Sequence, residues 1–344
     1  MRRVFCPTRQ HKIFCINWTA VAKKLYICTI FQHAITDIMK AKSEEIMKRG
    51  RNKILAILMS VLLLPFALNG NARPKVGLVL GGGGAKGAAH IGALKVIEKA
   101  GIPIDYIAGT SIGSIVGGLY ALGYRADQLE ELFLKQEWID LFAGEVVEKD
   151  KIEKLFDSII CQSDSAVCQS DSLSFDKLPI PYRCVAVDIK RMEEVVLSSG
   201  KLSRAMRASM AIPVALRSVR IDGRKLVDGG VLNNLPVDVV RDMGADIVIA
   251  IDLQQEKHKT KKFSLKKEYG IGGIIDWVVS RPDWRKYNDN CADADIYINP
   301  PLGDYNVANF HPRDIKAMIE IGEKTAHKYT KKLKNYKKIY KKKR

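Results

Sequence analysis

Ser111 stands in Gly109-Thr110-Ser111-Ile112-Gly113, between the apolar run Tyr106-Ile107-Ala108 and an apolar, small-residue run from Ile112 to Leu122. A serine with glycines two residues to either side, at a turn from strand to helix, has the spacing of a nucleophile elbow. The turn is so sharp that side chains at positions 109 and 113 would collide. It also projects the hydroxyl from a helix N-terminus, where the dipole favours a developing oxyanion. Alone the pentapeptide is weak, because glycine and serine are common in loops. Two further motifs, at fitting places along the chain, give it weight.

The first is Gly81-Gly82-Gly83-Gly84-Ala85-Lys86-Gly87, which follows the β-rich run Lys75-Val76-Gly77-Leu78-Val79-Leu80 and leads into a small-residue run, Ala88 to Ala100. Glycines at the carboxyl end of a strand let backbone N–H groups converge on an anion, and Lys86 adds a positive charge. Two readings stand side by side. One is an oxyanion hole for an acyl intermediate, made by Gly82, Gly83, Gly84, Lys86 and Gly87. The other is a dinucleotide site, since Gly82-x-Gly84-x-x-Gly87 spells the Rossmann fingerprint. That reading wants an acidic residue at the end of the next strand. Asp105 precedes that strand, and Gly109-Thr110-Ser111 occupies its end. A phosphate loop of the Walker type is excluded, because Gly87 rather than Ser or Thr follows Lys86.

The second motif is Asp228-Gly229-Gly230 after Gly223-Arg224-Lys225-Leu226-Val227. It places a carboxylate at the end of a strand, as the serine is placed. Asp-Gly is also a favoured hairpin turn, but Val231-Leu232-Asn233-Asn234-Leu235-Pro236 reads as a loop entering a helix and not as a return strand. His90, one turn into the helix after the glycine loop, is the one histidine close to a motif. It is either a second candidate partner for Ser111 or a hydrogen-bonding group beneath the loop.

Together the three motifs resemble the patatin-like phospholipases of the bacterial type, over about residues 76–253. Their order is right. Between the last two, Ala205-Met206-Arg207-Ala208-Ser209-Met210-Ala211-Ile212-Pro213 resembles the family's Ala-x-x-Ala-Ser-x-x-x-Pro helix. Val185-Ala186-Val187-Asp188 and Met243 to Ala250 resemble family strands. The resemblance implies a three-layer α/β/α sandwich with a mostly parallel sheet. It also implies a Ser–Asp dyad in which Ser111 is the nucleophile and Asp228 its base, and an oxyanion hole of backbone N–H groups around Gly83 and Gly84. Lys86 stands where the family often has Arg, which keeps the charge and loses the planar fork. A dyad is physically reasonable: a serine hydroxyl needs a neighbouring base, and a carboxylate in a site of low dielectric rises towards the working range. It needs no metal and no cofactor. The expected reaction is hydrolysis of phospholipid or lysophospholipid esters. Acyl transfer on the same site and non-catalytic lipid binding are the alternatives.

Five apolar stretches, near 76–80, 104–109, 182–188, 246–252 and 294–299, alternate with helical patterns, which predicts a mostly parallel sheet with its site at the strand carboxyl ends. Residues 76–253 would be the catalytic domain and 254–323 the rest of the same α/β unit. Residues 254–290, with Trp277 and Trp284, read as a variable connection. The net charge of +18 is not spread evenly: residues 1–46 carry +5, 47–72 carry +4 and the tail 324–344 carries +11, leaving 73–323 at −2. The globular part is therefore near neutral, and nucleic acid is not expected as a partner. The tail continues an amphipathic helix beginning near Asp314. Its lysines, interleaved with Tyr329, Leu333, Tyr336, Ile339 and Tyr340, would suit anionic headgroups or simply solvent.

Residues 47–72 have a basic start, an apolar run from Ile54 to Leu64 and small residues at Gly70-Asn71-Ala72, the pattern of a secretory signal peptide. Its position suggests that translation begins at Met47 or Met39 and that 1–46 is a leader arising from a mis-assigned start; a genuine leader followed by an anchor is the alternative. Export, periplasmic or secreted and membrane-associated, follows as an expectation. The duplicated Cys161-Gln-Ser-Asp-Ser and Cys168-Gln-Ser-Asp-Ser reads as a polar surface loop, and a Cys161–Cys168 disulfide is within reach in an oxidising compartment.

Overall fold

The computed structural model divides into two units, Met1–Ala72 and Arg73–Arg344. It describes Thr36 and residues 73–143, 149–213, 216–255 and 284–342. The leader apart from Thr36, the signal-like segment and Trp277 lie outside the described residues. The sheet, the helices around it and all three motifs belong to the second unit.

β1 (Val76–Leu80) passes through a 3-10 turn (Gly84–Gly87) into α1 (Ala88–Ala100), and β2 (Tyr106–Thr110) passes at Ser111 into α2 (Ile112–Leu122). Next come α3 (Ala126–Phe133), α4 (Gln136–Ala143), α5 (Lys149–Ser163), α6 (Ser165–Gln169), β3 (Leu173–Ser174), β4 (Tyr182–Asp188), β5 (Glu193–Leu197) and β6 (Ser199–Gly200). α7 (Leu202–Ser209), β7 (Val219–Ile221), β8 (Arg224–Asp228), α8 (Val237–Asp242) and β9 (Ile247–Ile251) follow. The chain continues through α9 (Trp284–Asp293), β10 (Ile296–Ile298), α10 (Pro312–His327) and α11 (Thr330–Lys342).

The main sheet has the order β10-β9-β1-β2-β4-β8-β7, with β5 also on β4. The five strands from β10 to β4 are parallel. β5, β7 and β8 are antiparallel additions. The parallel part is apolar on both faces, as covered parallel sheets are. Val76, Leu78 and Leu80 of β1 join the buried cluster that contains the inner faces of α1, α2 and α10. Val79, with Val248 and Ala250 of β9, joins the cluster of α8 and α9. Two helical layers therefore enclose the sheet, and the architecture is the three-layer α/β/α sandwich with a mixed sheet.

The site depends on the strand registers. β5 runs along one edge of β4 from Cys184 to Asp188. The other edge is shared end to end. β2 pairs with Tyr182 to Val185 and stops with Thr110 against Val185, and β8 arrives from the opposite direction and stops with Asp228 against Ala186. Two strands thus point at each other along a single edge, and their carboxyl ends meet between adjacent rungs.

Two sequence expectations change. The duplicated Cys-Gln-Ser-Asp-Ser segment is not a loop. α5 continues to Ser163, and the carboxylate of Asp164 then caps α6, accepting from Ala166 N at 2.9 Å and Val167 N at 3.0 Å. An aspartate at an N-cap satisfies helix donors that would otherwise be orphaned. Cys161 and Cys168 are joined by a disulfide, their Cα atoms 5.0 Å apart. The C-terminal helix is not continuous either. It breaks after His327 and restarts at Thr330, and Leu333 is buried in the main core. The second half is therefore a packed element of the fold over at least that turn.

Candidate active site

Ser111 caps α2 with φ 55° and ψ −126°, a left-handed φ that few non-glycine residues adopt. Such a residue stores about 1–3 kcal/mol of strain, which the surrounding contacts must hold. The contacts are visible. Ser111 N donates to Ser209 Oγ at 3.0 Å, and Ser209 Oγ donates onward to the carbonyl of Val185 at 2.6 Å. Ser114 Oγ donates to the carbonyl of Ser111 at 2.6 Å. The flanking glycines are required by close approach: a Cβ on Gly109 would lie 2.3 Å from Gly113 O, and one on Gly113 would lie 2.1 Å from Leu80 O.

The meeting of β2 and β8 brings Asp228 to this serine. Ser111 Oγ donates to Asp228 Oδ2 at 2.7 Å. The second carboxylate oxygen accepts from Gly230 N at 2.7 Å, and Asp228 N donates to Ala211 O at 3.0 Å. Asp228 is 1% exposed and Ser111 4%. Burial raises the Asp228 pKa to about 6, against the opposing effect of the bonds from Ser111 and Gly230. The carboxylate is thus poised close to neutrality instead of being a fully relaxed surface anion.

The glycine loop lies over the pair. A Cβ on Gly82 would fall 3.1 Å from Ser111 Cβ and 2.4 Å from Asn234 Oδ1. Gly82 N donates to Asn234 O at 3.2 Å, and Asn234 Nδ2 donates to Gly82 O at 3.3 Å. Asn234 therefore ties the glycine loop to the turn after Asp228. Gly81 N donates to Ile251 O, and Ala85 N to Val307 O. Among the described residues the N–H groups of Gly83 and Gly84 donate to no backbone carbonyl. Gly84 has φ +58°, and a Cβ there would meet Val307 O at 2.4 Å. Lys86 is half-buried in the 3-10 turn, and Gly87 lies against Ile112, the residue after the serine. Of the five loop residues expected to hold an oxyanion, Gly83 and Gly84 keep free backbone donors, Gly82 has its donor engaged, and Gly87 serves close packing.

His90 is buried under this loop, its Nε2 donating to the carbonyl of Gly81 at 2.8 Å, and burial lowers its pKa to about 4. Ser111 Oγ is bonded to Asp228 and not to it. Asp105 does not reach the glycine loop. Its carboxylate accepts from Arg73 and from Val76 N, at the amino end of β1. The dinucleotide arrangement thus lacks its acidic residue at the end of β2.

Sequence reasoning did not single out Ser209, Ser114 or Asn234. Ser209 sits in the Ala-x-x-Ala-Ser run and Asn234 six residues after Asp228, so the signals existed, but nothing in their spacing says which backbone groups they bond.

Residues 78–241 match the family model of patatin-like phospholipase. That segment is a patatin-like phospholipase domain. It is 38% identical over 197 residues to a patatin-like phospholipase domain-containing protein of Caenorhabditis elegans, a match covering 54% of this chain and 14% of that one. It is 34% identical over 194 residues to an NTE family protein of Mycobacterium tuberculosis, covering 54% of this chain and 51% of that one. A lysophospholipase of Emericella nidulans is 29% identical over 287 residues, which are 76% of this chain and 18% of that protein. The chain therefore spans about half the mycobacterial relative, and much less of the others. Among solved structures, VipD from Legionella pneumophila superposes with a TM-score of 0.54 at 13% identity, over 76% of this chain and 67% of that one, a likeness of fold.

Proposed function

We propose that this protein is a serine lipid acyl hydrolase that cleaves carboxylic esters of phospholipids or lysophospholipids through a Ser111–Asp228 dyad. One observation carries the reading: the 2.7 Å bond from Ser111 Oγ to a buried carboxylate whose pKa is raised to about 6. Asp228 takes the Ser111 proton as Oγ bonds to the ester carbonyl carbon. The carbonyl π electrons move to oxygen, and the N–H groups of Gly83 and Gly84 hold the resulting oxyanion. Collapse breaks the ester C–O bond, and Asp228 returns its proton to the departing alcohol. Water then loses a proton to Asp228, attacks the acyl-enzyme and frees the fatty acid, and Ser111 recovers the proton. The family and the relative named as a lysophospholipase support the substrate class.

Export to the periplasm or beyond, with membrane association, belongs to the same proposal. The Cys161–Cys168 disulfide supports an oxidising compartment, and the basic-then-apolar stretch at 47–72 supports a secretory signal. N-terminal sequencing of the mature protein checks it, and a first residue well before Arg73 would count against cleavage there.

The catalytic reading is tested with a fluorophosphonate probe and a soluble short-chain ester. Wild-type protein should be labelled and should hydrolyse the ester. Ser111→Ala should do neither, and labelling that persists in that variant would remove Ser111 as the nucleophile.

A further inference from the structure

Three large apolar side chains are exposed among the described residues: Ile189 at 37%, Met192 at 55% and Val196 at 41%. All three belong to the hairpin formed by β4, its four-residue turn and β5. Met192 holds φ 52° at the turn, so its direction is set by the backbone. Beside the hairpin lies an open groove of about 450 Å³. Its floor includes Ile189, Pro213, Leu216 and Val227, and Arg217 and Lys225 stand at its rim, both exposed. Lys190 and Arg224 add exposed positive charge, Arg191 is paired to Asp188, and Glu193 and Asp222 are the exposed acids nearby. An apolar tip inside a collar with an excess of cations is complementary to an anionic lipid surface.

Location points the same way. β4 continues three residues past the rung that ends β2. The hairpin turn therefore projects from the same edge of the sheet as Ser111, and further out. The groove reaches Val227, the residue before Asp228. The basic tail stands at the opposite edge. Lys332 Nζ donates to Asp295 O, just before β10, and Lys337 approaches Gly101, just before β2. A five-residue strand separates the two edges by about 17 Å.

We propose that the β4–β5 hairpin, with its apolar tip and the Arg217 and Lys225 collar, docks the protein on an anionic phospholipid bilayer with the Ser111 edge turned towards it. The proposal rests on the reading of this protein as a lipid hydrolase, and its test is separable from that reading. The full chain is sedimented with vesicles of phosphatidylcholine alone and of phosphatidylcholine with phosphatidylglycerol. Wild type should bind the mixed vesicles more tightly. Ile189→Ser with Met192→Ser should weaken binding about tenfold or more, since two apolar side chains no longer enter the interface. Arg217→Gln with Lys225→Gln should reduce the preference for phosphatidylglycerol about tenfold or more. Each variant should keep its urea unfolding midpoint and its rate on the soluble ester. As an independent measure, Met192→Trp should gain fluorescence that vesicles brominated in the acyl chains quench. Wild-type protein that ignores both vesicles, or apolar-tip variants that bind as well as wild type, would overturn the proposal and leave the patch to a protein partner. Failure of ester hydrolysis with vesicle binding intact would instead strike the hydrolase reading alone.

Discussion

Asp228→Asn separates the chemical role of the carboxylate from its structural cost. Asparagine keeps an oxygen to accept from Gly230 N, and its amide nitrogen can donate to Ser111 Oγ, so the local bonds survive with one reversed. It cannot take a proton. Activity should fall about a thousandfold, in the middle of what a positioned general base contributes. The wild-type kcat/KM should rise with pH through an apparent pKa near 6, as the carboxyl is freed to act as base, and the variant should lose that limb. Stability should move the other way. The folded protein holds the Asp228 proton more tightly than the unfolded chain does, because the pKa is about 6 against an ordinary 3.8. Burial of the group is therefore tolerated at low pH, and its penalty grows as pH rises from 3.8 to about 6 and is complete above. The gap is worth about 3 kcal/mol. Asp228→Asn, neutral throughout, should gain about that much relative to wild type between about pH 4 and about pH 8. Urea unfolding of both proteins at the two pH values measures it, and contributions common to both, such as His90, cancel. A variant that retains near-normal turnover, or a stability difference that does not change with pH, would refute the reasoning.

Other perturbations act on the same contacts. Ser209→Ala removes both the acceptor for Ser111 N and the donor to Val185 O and should lower kcat by about tenfold to a hundredfold with KM little changed, since leaving the buried Ser111 N–H unsatisfied costs about 1–3 kcal/mol and misplaces the hydroxyl. His90→Gln retains a donor for Gly81 O and should keep most activity, which steady-state assays will show; a loss as deep as that of Asp228→Asn would return His90 to the chemistry. The same variant should soften acid unfolding, because His90, with a pKa lowered from 6.5 to about 4, withdraws stability from the wild type as pH falls through that window. Gly113→Ala places a methyl 2.1 Å from Leu80 O and should cost about 1–3 kcal/mol in urea unfolding, with activity falling alongside as the elbow opens.

The local elements were legible in the sequence wherever one period dominated. β1, β4, α1 and α2 lie at the bounds that their apolar runs and glycines mark. Ser111 and Asp228 were legible because each ends a strand and each is followed by small residues. What was not legible depends on pairing. Nothing in Glu193 to Leu197 or in Val219 to Ile221 says that these short stretches are antiparallel neighbours of β4 and β8, since alternation over three to five residues fits a loop as well. The helix through Cys161 was hidden by serine and aspartate, which are poor helix formers but good caps. Asp164 ends one helix and starts another, and composition averages over that distinction. The tail's lysines, interleaved with Tyr329, Leu333, Tyr336, Ile339 and Tyr340, do not say whether its apolar residues meet lipid, solvent or protein, and the burial of Leu333 depends on packing of α11 against α1. Asn234 and Ser209 act through backbone partners, for which no side-chain spacing leaves a trace.

The head-on meeting of β2 and β8 has a consequence for the order of synthesis. The bonded pair spans 117 residues, and the rung that receives Asp228 belongs to β4, made well before it. A ribosome-bound chain that has emerged only as far as β4 has its elbow segment complete but no carboxylate beside Ser111. That partner arrives with one of the last strands added to the sheet. The nascent protein therefore carries an idle serine, and the hydroxyl gains its base when the final stretch of β8 closes against Ala186.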